Sequence, residues 1–332
     1  MSDIAQVADA GVTERSGAKA TVRGGHGAPA AERGRTNKSV GFSSRPYWLY
    51  LIPGGLLFVV VILGPLVYNV YLSLTKWSGV GQPKFIGFDN YLKLLSDSVF
   101  WESFKNSVAM IIAMVVIPTL IGLLLASVLF DYLGKRFGGS SVSVLRAVFY
   151  LPQVLPVVVA GIVWGWILTP YGALNTVLQK LGVTDPPNWL GDTAWAMPSV
   201  MLVLIWIQLG YGLVIFMAGM ARIDPQFHEA AELDGASWLT RFRHITIPQM
   251  QPEIFVVLLT TTIAALKVFG PVFVLTKGGP GNATNVPSYY SYSNFFGTLQ
   301  VGYGAAIATA LTVVVIALTA AFIKIQSRAE GA

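Results

Sequence analysis

The sequence contains no cysteine among its 332 residues, and Asp, Glu, Lys and Arg together make up only 11% of it. Without cysteine, neither a disulfide framework nor a thiolate metal site can form. Soluble proteins carry roughly a quarter charged residues, whereas this chain has few of them and is 54% hydrophobic. These proportions predict an integral membrane protein. The histidines, His26, His228 and His244, lack the spacing of a metal site or of a nucleophile with its base, so we expect no metal and no catalytic residue.

A phosphate-binding loop of the form G-x-x-x-x-G-K-[ST] is also missing from the sequence. Lys135 follows Gly134 but is itself followed by Arg136, and the GGPG run that begins at Gly278 has no lysine after it. The isolated chain is therefore not expected to bind ATP by that route, to be an enzyme or to carry a cofactor of its own.

Six apolar stretches are each long enough to cross the hydrocarbon of a bilayer, which takes about 20 helical residues. We predict an all-α membrane domain over residues 46–332 with spans at residues 48–75, 106–130, 147–169, 193–221, 254–276 and 302–323. The third span holds Pro152, Pro156, Gly161 and Gly165, which favour either kinks toward a pathway or irregular packing. Apart from Glu253 at an edge, the spans contain no carboxylate, so a proton or sodium relay is disfavoured and an external energy source is indicated.

The charges outside the spans predict the orientation of the chain. Residues 1–45 have no apolar run and are predicted to be a disordered tail, and residues 131–146 are predicted to be a short loop. Fifteen Lys and Arg residues fall on the side of the two termini and six on the other side. The positive-inside rule then places both termini in the cytoplasm. The seven Lys and Arg residues of the tail either bind anionic lipid or act only as a topology determinant. This topology accounts for the net charge of +6 and requires no nucleic acid.

A polar connection at residues 222–248, between the fourth and fifth spans, reads RIDPQFHEAAELDGASWLTRFRHITIP. Asp224 is a suitable N-cap with Pro225 at the first helical position, and Gly235 supplies a turn. A second helical piece is predicted from Ser237 and should end before Pro248, because proline cannot continue a helix without losing a hydrogen bond. The order predicts a helix-turn-helix. From composition alone, a solvated loop with an amphipathic helix lying on the membrane is the alternative.

The run E-A-A-E-L-D-G-A, followed by I-T-I-P, resembles the EAA loop in the permease subunits of bacterial ABC importers. The matching residues are Glu229, Ala230, Ala231, Asp234, Gly235 and Ala236. The resemblance implies that this connection is a cytoplasmic coupling helix pair, seated in a groove of a separate ATPase subunit that binds ATP and Mg. Three further stretches are similar to the carbohydrate-uptake branch and its maltose-type first permease: FIGFDNY at 85–91, residues 146–168, and LTKGGPGNAT at 275–284.

This resemblance also implies the partners: a homologous second permease, two ATPase subunits, an extracytoplasmic solute-binding protein and a sugar. In that branch the sugar is touched from the spans on both sides of the coupling loop, which correspond here to the neighbourhoods of Tyr211 and of Leu266, Lys267 and Phe269. Many relatives have F-D where this chain has Phe269-Gly270, so the local shape differs from theirs. A permease for glycerol phosphate or an oligopeptide, and a non-transporting membrane scaffold, remain as alternatives.

Lys267 is the single ionisable residue deep inside a predicted span. Burying a charge in hydrocarbon is costly, so this lysine is expected to face either the substrate or the companion subunit. Phe269 and Pro271 nearby indicate a kinked helix with an aromatic surface suited to sugar rings.

Overall fold

The computed structural model describes residues 48–130 and 134–330 of the chain. The tail predicted to be disordered, residues 1–45, lies outside the described residues. The chain divides into two compact units, Met1–Pro53 and Gly54–Ala332. The first is described only from Trp48, as the start of a helix, and the second holds the packing contacts and candidate sites discussed below.

The described residues are mostly helical. The helices are α1 (Trp48–Phe58), α2 (Gly64–Ser73), α3 (Asp89–Ser96), α4 (Ser98–Ile111), α5 (Ile117–Val128), α6 (Gly134–Val154), α7 (Val157–Ile167), α8 (Ala173–Lys180), α9 (Thr193–Met220), α10 (Pro225–Leu233), α11 (Trp238–Arg241), α12 (Ile247–Gln249), α13 (Gln251–Leu266), α14 (Gly270–Leu275), α15 (Pro287–Tyr292) and α16 (Val301–Glu330). Wider π-type turns at Val59–Leu63, Ile112–Val116, Phe242–Thr246 and Ser293–Gly297 connect or extend them. Two short strands, β1 (Thr75–Lys76) and β2 (Lys84–Phe85), pair antiparallel.

Five described helical stretches are long and apolar enough to cross a membrane, and a sixth consists of two helices bent by 95°. The five are Leu49–Ser73, Ser98–Val128, Thr193–Met220, Gln251–Leu275 and Val301–Ser327, and the bent pair is Ser143–Val154 with Val157–Ile167. The prediction of a helical membrane fold is confirmed. The described residues give six spans when the bent pair is counted as one.

The second span begins at Ser98, eight residues before the predicted start at Asn106. The side chain of Asp97 accepts hydrogen bonds from the backbone N–H groups of Val99 at 2.9 Å and Phe100 at 3.3 Å. A carboxylate in this position satisfies N–H groups that have no partner within the helix, and so fixes the start. Hydropathy located the apolar part of the span and missed its polar first turns.

The loop predicted at 131–146 and the span predicted at 147–169 are wrong over the described residues, which form two helices from Gly134 on. α6 already begins at Gly134, and α7 leaves it at an angle of 95°. Between them Pro156 has φ −55° and ψ 128°, an extended conformation. Proline has no N–H to donate and disfavours helical geometry at the preceding residue, Leu155. Pro152, by contrast, lies inside α6 without ending it.

The helix of the sixth span continues beyond the predicted span end at residue 323 and reaches Glu330. Residues 305–330 contain neither proline nor glycine. The usual stop signals of a helix are therefore missing from the whole second part of α16.

The FIGFDNY stretch ties the end of the first span to the strand pair that follows it. The Asn90 side-chain amide donates to the carbonyl oxygens of Ser73 at 2.8 Å and Thr75 at 2.9 Å, and the Tyr91 hydroxyl lies 2.6 Å from the Ser73 hydroxyl. These carbonyls lie at and just beyond the C-terminal end of α2, where partners within a helix run out. The motif thus supplies a side-chain cap to the first span.

Asp97 joins α4 to α15 and α16 through two tyrosine hydroxyls. Its carboxylate accepts hydrogen bonds from Tyr290, at 2.7 Å, and from Tyr303. Burial alone would raise the pKa of Asp97, but the tyrosine and backbone hydrogen bonds outweigh it and lower that pKa. Burial and the hydrogen bond to Asp97 in turn raise the pKa of Tyr290 to about 12.

Close helix packing holds α9 at the centre of the second unit. A Cβ atom at Gly210 would lie 2.4 Å from the carbonyl oxygen of Phe149 in α6. One buried cluster joins α5, α9 and α13 through side chains that include Leu213, Phe216 and Val257. A glycine at the α6 crossing therefore lets two backbones approach where any side chain would separate them.

Candidate coupling site and candidate pathway surface

The connection between α9 and α13 forms the helix-turn-helix that the sequence predicts. We call residues 225–249 the elbow. Its first arm, α10, starts where the side chain of Asp224, in a non-helical conformation, accepts a hydrogen bond from the N–H of Gln226 at 3.0 Å. Pro225 occupies the first helical position, where its missing N–H costs nothing. The predicted helix start is confirmed.

Two backbone hydrogen bonds form the turn that ends the first arm. The N–H of Gly235 donates to the carbonyl of Glu232 at 3.1 Å, and the N–H of Ala236 donates to the carbonyl of Ala231 at 2.9 Å. Gly235 has φ +76°, and nothing lies within 4 Å of the Cβ it lacks. Glycine is therefore needed here for its left-handed backbone and not for space, as in the Schellman type of helix end.

The second arm is tied back to the first. The Ser237 hydroxyl caps α11 by accepting from the N–H of Thr240 at 3.3 Å. The Arg241 guanidinium donates to the carbonyl of Ala236 at 3.1 Å and lies 4.0 Å from the carboxylate of Glu232. The angle between the arms is thus held by a turn and by a side chain that crosses it.

Contrary to the prediction, the second arm does not end before Pro248. The π-type turn Phe242–Thr246 leads directly into α12, which contains Pro248. In this turn the N–H of Ile247 bonds to the carbonyl of Phe242, five residues back. The wide turn shifts the hydrogen-bond register just before the proline, so its missing N–H does not interrupt the helix.

The second arm is anchored in the membrane core, whereas the first arm projects from it. Trp238 stacks on Phe242 with ring centroids 5.3 Å apart. Phe242 belongs to the buried cluster of α5, α9 and α13, and Trp238 packs against that cluster. No residue of α10 is buried. Displacement of the first arm would therefore be transmitted to three spans through aromatic contacts.

An ion pair closes the base of the elbow. Arg222, just after α9, pairs with Glu253 at the start of α13. The Glu253 side chain is only 12% exposed. A carboxylate in that position needs its partner, because an uncompensated charge away from water is costly. The ends of the fourth and fifth spans are held together by this pair.

The outer surface of the elbow combines acidic and apolar groups. Glu229, Ala230, Asp234 and Gly235 are exposed, while Ala231 and Ala236 are half-buried. Three large apolar side chains are exposed beside them: Phe227, Leu233, which is 90% exposed, and Leu239. Sequence reasoning passed over these three, although apolar residues in an otherwise polar connection were a visible signal. Such a surface fits the apolar groove of a partner protein.

The fifth span is interrupted two thirds of the way along. α13 ends at Leu266 and α14 starts at Gly270, so the backbone of Lys267, Val268 and Phe269 lies between the helices. The Ser288 hydroxyl donates to the carbonyl of Val268. The kink predicted from this stretch is present, and a neighbouring side chain satisfies one backbone carbonyl that it frees.

The predicted pathway residues separate into exposed and buried ones. Lys267 is exposed and Tyr211 is half-buried, whereas Leu266 is only 4% exposed, so its side chain packs inside the chain. The Tyr211 hydroxyl lies 3.0 Å from that of Thr260. Thr260 and Lys267 lie two helical turns apart on the exposed side of the fifth span. A polar line thus runs along this face.

Aromatic rings gather at the break. Phe269 stacks on Phe273 at 5.3 Å, and the ring of Tyr292 stands edge-on to Phe269 at 5.2 Å. Tyr289 and Phe296 extend the group. All but Phe296 are half-buried. Sequence reasoning identified Phe269 but could not place the rings of α15 against it, since they follow about 20 residues later.

Lys267 opens onto a cavity of about 350 Å³ between the broken fifth span, α15 and α16. Ser288, Ser291 and Thr312 supply its hydroxyl groups, and the remaining wall is apolar. No ion pair to Lys267 occurs among the described residues. The arrangement offers an ammonium and several hydroxyls to a polar molecule inside a membrane protein.

These features describe a helical membrane protein with a rigid protruding elbow and a polar face on its interrupted span. Residues 119–329 match the family of binding-protein-dependent transport system inner membrane components. The chain belongs to this family, which comprises the membrane-spanning, non-enzymatic parts of ABC transporters, and it is a multi-pass inner-membrane protein.

Relatives with known names support this membership over nearly their full length. The "Probable ABC transporter permease protein YurN" of Bacillus subtilis is 37% identical over 82% of this chain and 93% of that protein. The sulfoquinovosyl glycerol transport system permease protein SmoG of Agrobacterium fabrum is 33% identical over 83% and 89%. The trehalose/maltose transport system permease protein MalF of Thermococcus litoralis is 32% identical over 84% and 92%.

A solved structure shares the fold. A chain of a bacterial ABC transporter that imports the acidic polysaccharide alginate superposes with a TM-score of 0.73, at 22% identity, over 85% of this chain and 96% of that one. A second similar structure, also with a TM-score of 0.73 and 22% identity, is of a bacterial alginate ABC transporter in complex with an alginate pentasaccharide-bound periplasmic protein.

Proposed function

We propose that this chain is one of two related permease subunits that together form the translocation pathway of an ATP-driven importer for a sugar or oligosaccharide. The family supports the transporter class. The substrates named for relatives, trehalose and maltose in one case and sulfoquinovosyl glycerol in another, support a carbohydrate cargo. The excess of Lys and Arg on the side of the elbow supports a cytoplasmic location for the elbow and both termini.

The observation that carries the proposal is the construction of the elbow. Its first arm has no buried residue, and its surface presents Glu229 beside the exposed Leu233. Its second arm is anchored among three spans. A separate ATPase subunit, which binds the ATP and Mg, docks on the first arm, and the elbow passes its movement into the membrane.

Transport follows from alternating access. When the ATPase subunits close on ATP, they displace both elbows of the permease pair. Because the turn at Gly235, the Arg241 contacts and the Arg222–Glu253 ion pair brace the elbow of this chain, its displacement reaches the spans instead of bending the loop. The pathway then switches between its inward-facing and outward-facing states.

The cargo is delivered by an extracytoplasmic binding protein and passes the polar face of the fifth span. Aromatic rings stack on the apolar faces of sugars, and the group around Phe269 offers several such rings. Tyr211, Thr260 and Lys267 supply hydroxyl and ammonium groups to sugar hydroxyls along the way.

Two variants test the coupling role in proteoliposomes that contain the complete transporter. Glu229→Lys reverses the charge of the exposed first arm. Gly235→Pro demands φ near −65° where the turn has φ +76°. Both should insert into the membrane at wild-type levels, but ATP hydrolysis should no longer respond to the loaded binding protein, and uptake should fall to background.

Wild-type uptake in both variants would remove the coupling assignment. Uptake of a panel containing maltose, trehalose, glycerol phosphate and a short peptide tests the cargo class separately. Transport of only the last two would overturn the carbohydrate assignment and leave the importer assignment intact.

A further inference from the structure

The short helix α3 presents an apolar face that the proposed transport function does not use. Leu92 and Leu95 are 64% and 63% exposed, and Phe88, directly before the helix, is also exposed. Successive residues of a helix are turned by about 100° around its axis, so these three side chains lie within a sector of about 60°. Asn90 and Leu94 point the other way and are buried. The exposed apolar face is thus distinct from the face that packs on the chain.

The position of α3 in the chain places it at a membrane boundary. It ends at Ser96, and the second span begins at Ser98 with only Asp97 between them. The far end of that span packs with Phe242 of the elbow, so α3 lies at the opposite end. The polar first turns of that span, up to Lys105, are only about 12 Å long, so α3 lies near the level at which the span leaves the hydrocarbon.

The apolar face of α3 is continuous with the outer face of the second span. The indole N–H of Trp101, in the first turn of that span, donates to the carbonyl of Leu95 at 3.0 Å. Trp101 is exposed, and Val108 and Ile112 continue the exposed apolar stripe along the span. Tryptophan with a polar edge and an apolar body concentrates at membrane interfaces.

Charged and polar side chains flank this surface as they do in interfacial helices. Asp89 and Lys93 are exposed on the neighbouring sector of α3. Lys105 lies one turn after Trp101 on the exposed stripe, where its long side chain can reach toward headgroups. We propose that α3 is an interfacial membrane helix, which lies in the headgroup region of the leaflet opposite the elbow with Phe88, Leu92 and Leu95 facing the acyl chains.

The absence of cysteine makes a direct depth measurement possible, since a single introduced cysteine takes a spin label selectively. Leu92→Cys and Leu95→Cys probe the apolar face. Asp89→Cys is the matched control on the polar sector of the same helix, and Ile112→Cys is the reference inside the bilayer. Each full-length variant is labelled before assembly and is then reconstituted, alone and in the assembled transporter, into vesicles of phosphatidylethanolamine and phosphatidylglycerol.

Power saturation with oxygen and with a water-soluble nickel chelate then reports the depth of each label. The proposal predicts that labels at 92 and 95 collide with nickel several-fold less often than the label at 89, and with oxygen nearly as often as the label at 112. Nickel collision at 92 equal to that at 89 would overturn it. Protection from both reagents only in the assembled transporter would also overturn it, because a protein partner would then cover this face.

Discussion

Leu233 gives the sharpest quantitative test of the elbow as a docking surface. Its side chain is 90% exposed in the chain. If an ATPase groove buries it, Leu233→Ala removes three carbon atoms from that contact, at about 0.8 kcal/mol each. The loss is therefore at most about 2.4 kcal/mol, and tenfold in affinity corresponds to about 1.4 kcal/mol. We expect the ATPase to bind about tenfold to fiftyfold more weakly, with no change in the stability of the permease.

The assay is interferometry of the purified ATPase subunit on the permease pair held in nanodiscs, together with thermal unfolding of the permease. Val80→Ala is the matched control, since Val80 is 82% exposed in the segment between β1 and β2, at the end opposite the elbow. An unchanged dissociation constant for Leu233→Ala, or an equal loss in both variants, would refute the reasoning.

Three further predictions concern the fold and are measured by thermal unfolding in detergent. Gly210→Ala should destabilise the chain by about 1–3 kcal/mol, because its Cβ would lie 2.4 Å from a backbone oxygen of α6. Gly55→Ala is the control and should cost nothing, because the space around its Cβ is open. Equal unfolding temperatures for the two variants would contradict this. Asn90→Ala leaves two carbonyl oxygens without their donor and should lower the free energy of unfolding by about 1–3 kcal/mol. A loss of stability smaller than that of an exposed Asn→Ala control would contradict the capping role. The lowered pKa of Asp97 means that its contribution is complete above the unfolded value of about 3.9 and is lost as the pH falls through the lower folded value. The stability difference between wild type and Asp97→Asn should therefore be constant from pH 7 to pH 5 and shrink below pH 4, and a difference already lost at pH 5 would be inconsistent with this account.

Local signals explain what could be predicted from the sequence. The start of α10 at Asp224 and Pro225 and its end at Gly235 depend on caps and backbone preferences within a few residues, and both are where the sequence places them. The break near Lys267 was likewise visible, because Phe269-Gly270-Pro271 cannot continue a regular helix without help.

The errors have a common physical cause. Hydropathy measures the apolar length of a span but not where its helix begins, so the sequence predicts a loop for the polar first turns after Asp97. Of the prolines in one apolar stretch, Pro156 bends the chain by 95° and Pro152 does not. Whether a proline bends its helix depends on what the helix packs against, and the residues around the proline do not show this. The helix end predicted before Pro248 is wrong because a π-type turn precedes the proline.

The pathway surface could be predicted only in part for the same reason. Tyr211 and Thr260 are 49 residues apart and meet through the packing of α9 on α13. Leu266 and Lys267 are neighbours in sequence, yet one is buried and the other exposed, because the end of α13 turns them to different sides.

The central claim is that energy from a separate ATPase enters this chain through the elbow. Its most direct test is an aromatic photo-cross-linking amino acid that replaces the exposed Phe227 in the assembled, transport-competent complex, with position 80 as the control. The account predicts an adduct with the ATPase subunit from 227 and none from 80, with a yield that changes on addition of ATP. No adduct from 227 in a complex that still imports its cargo would contradict it.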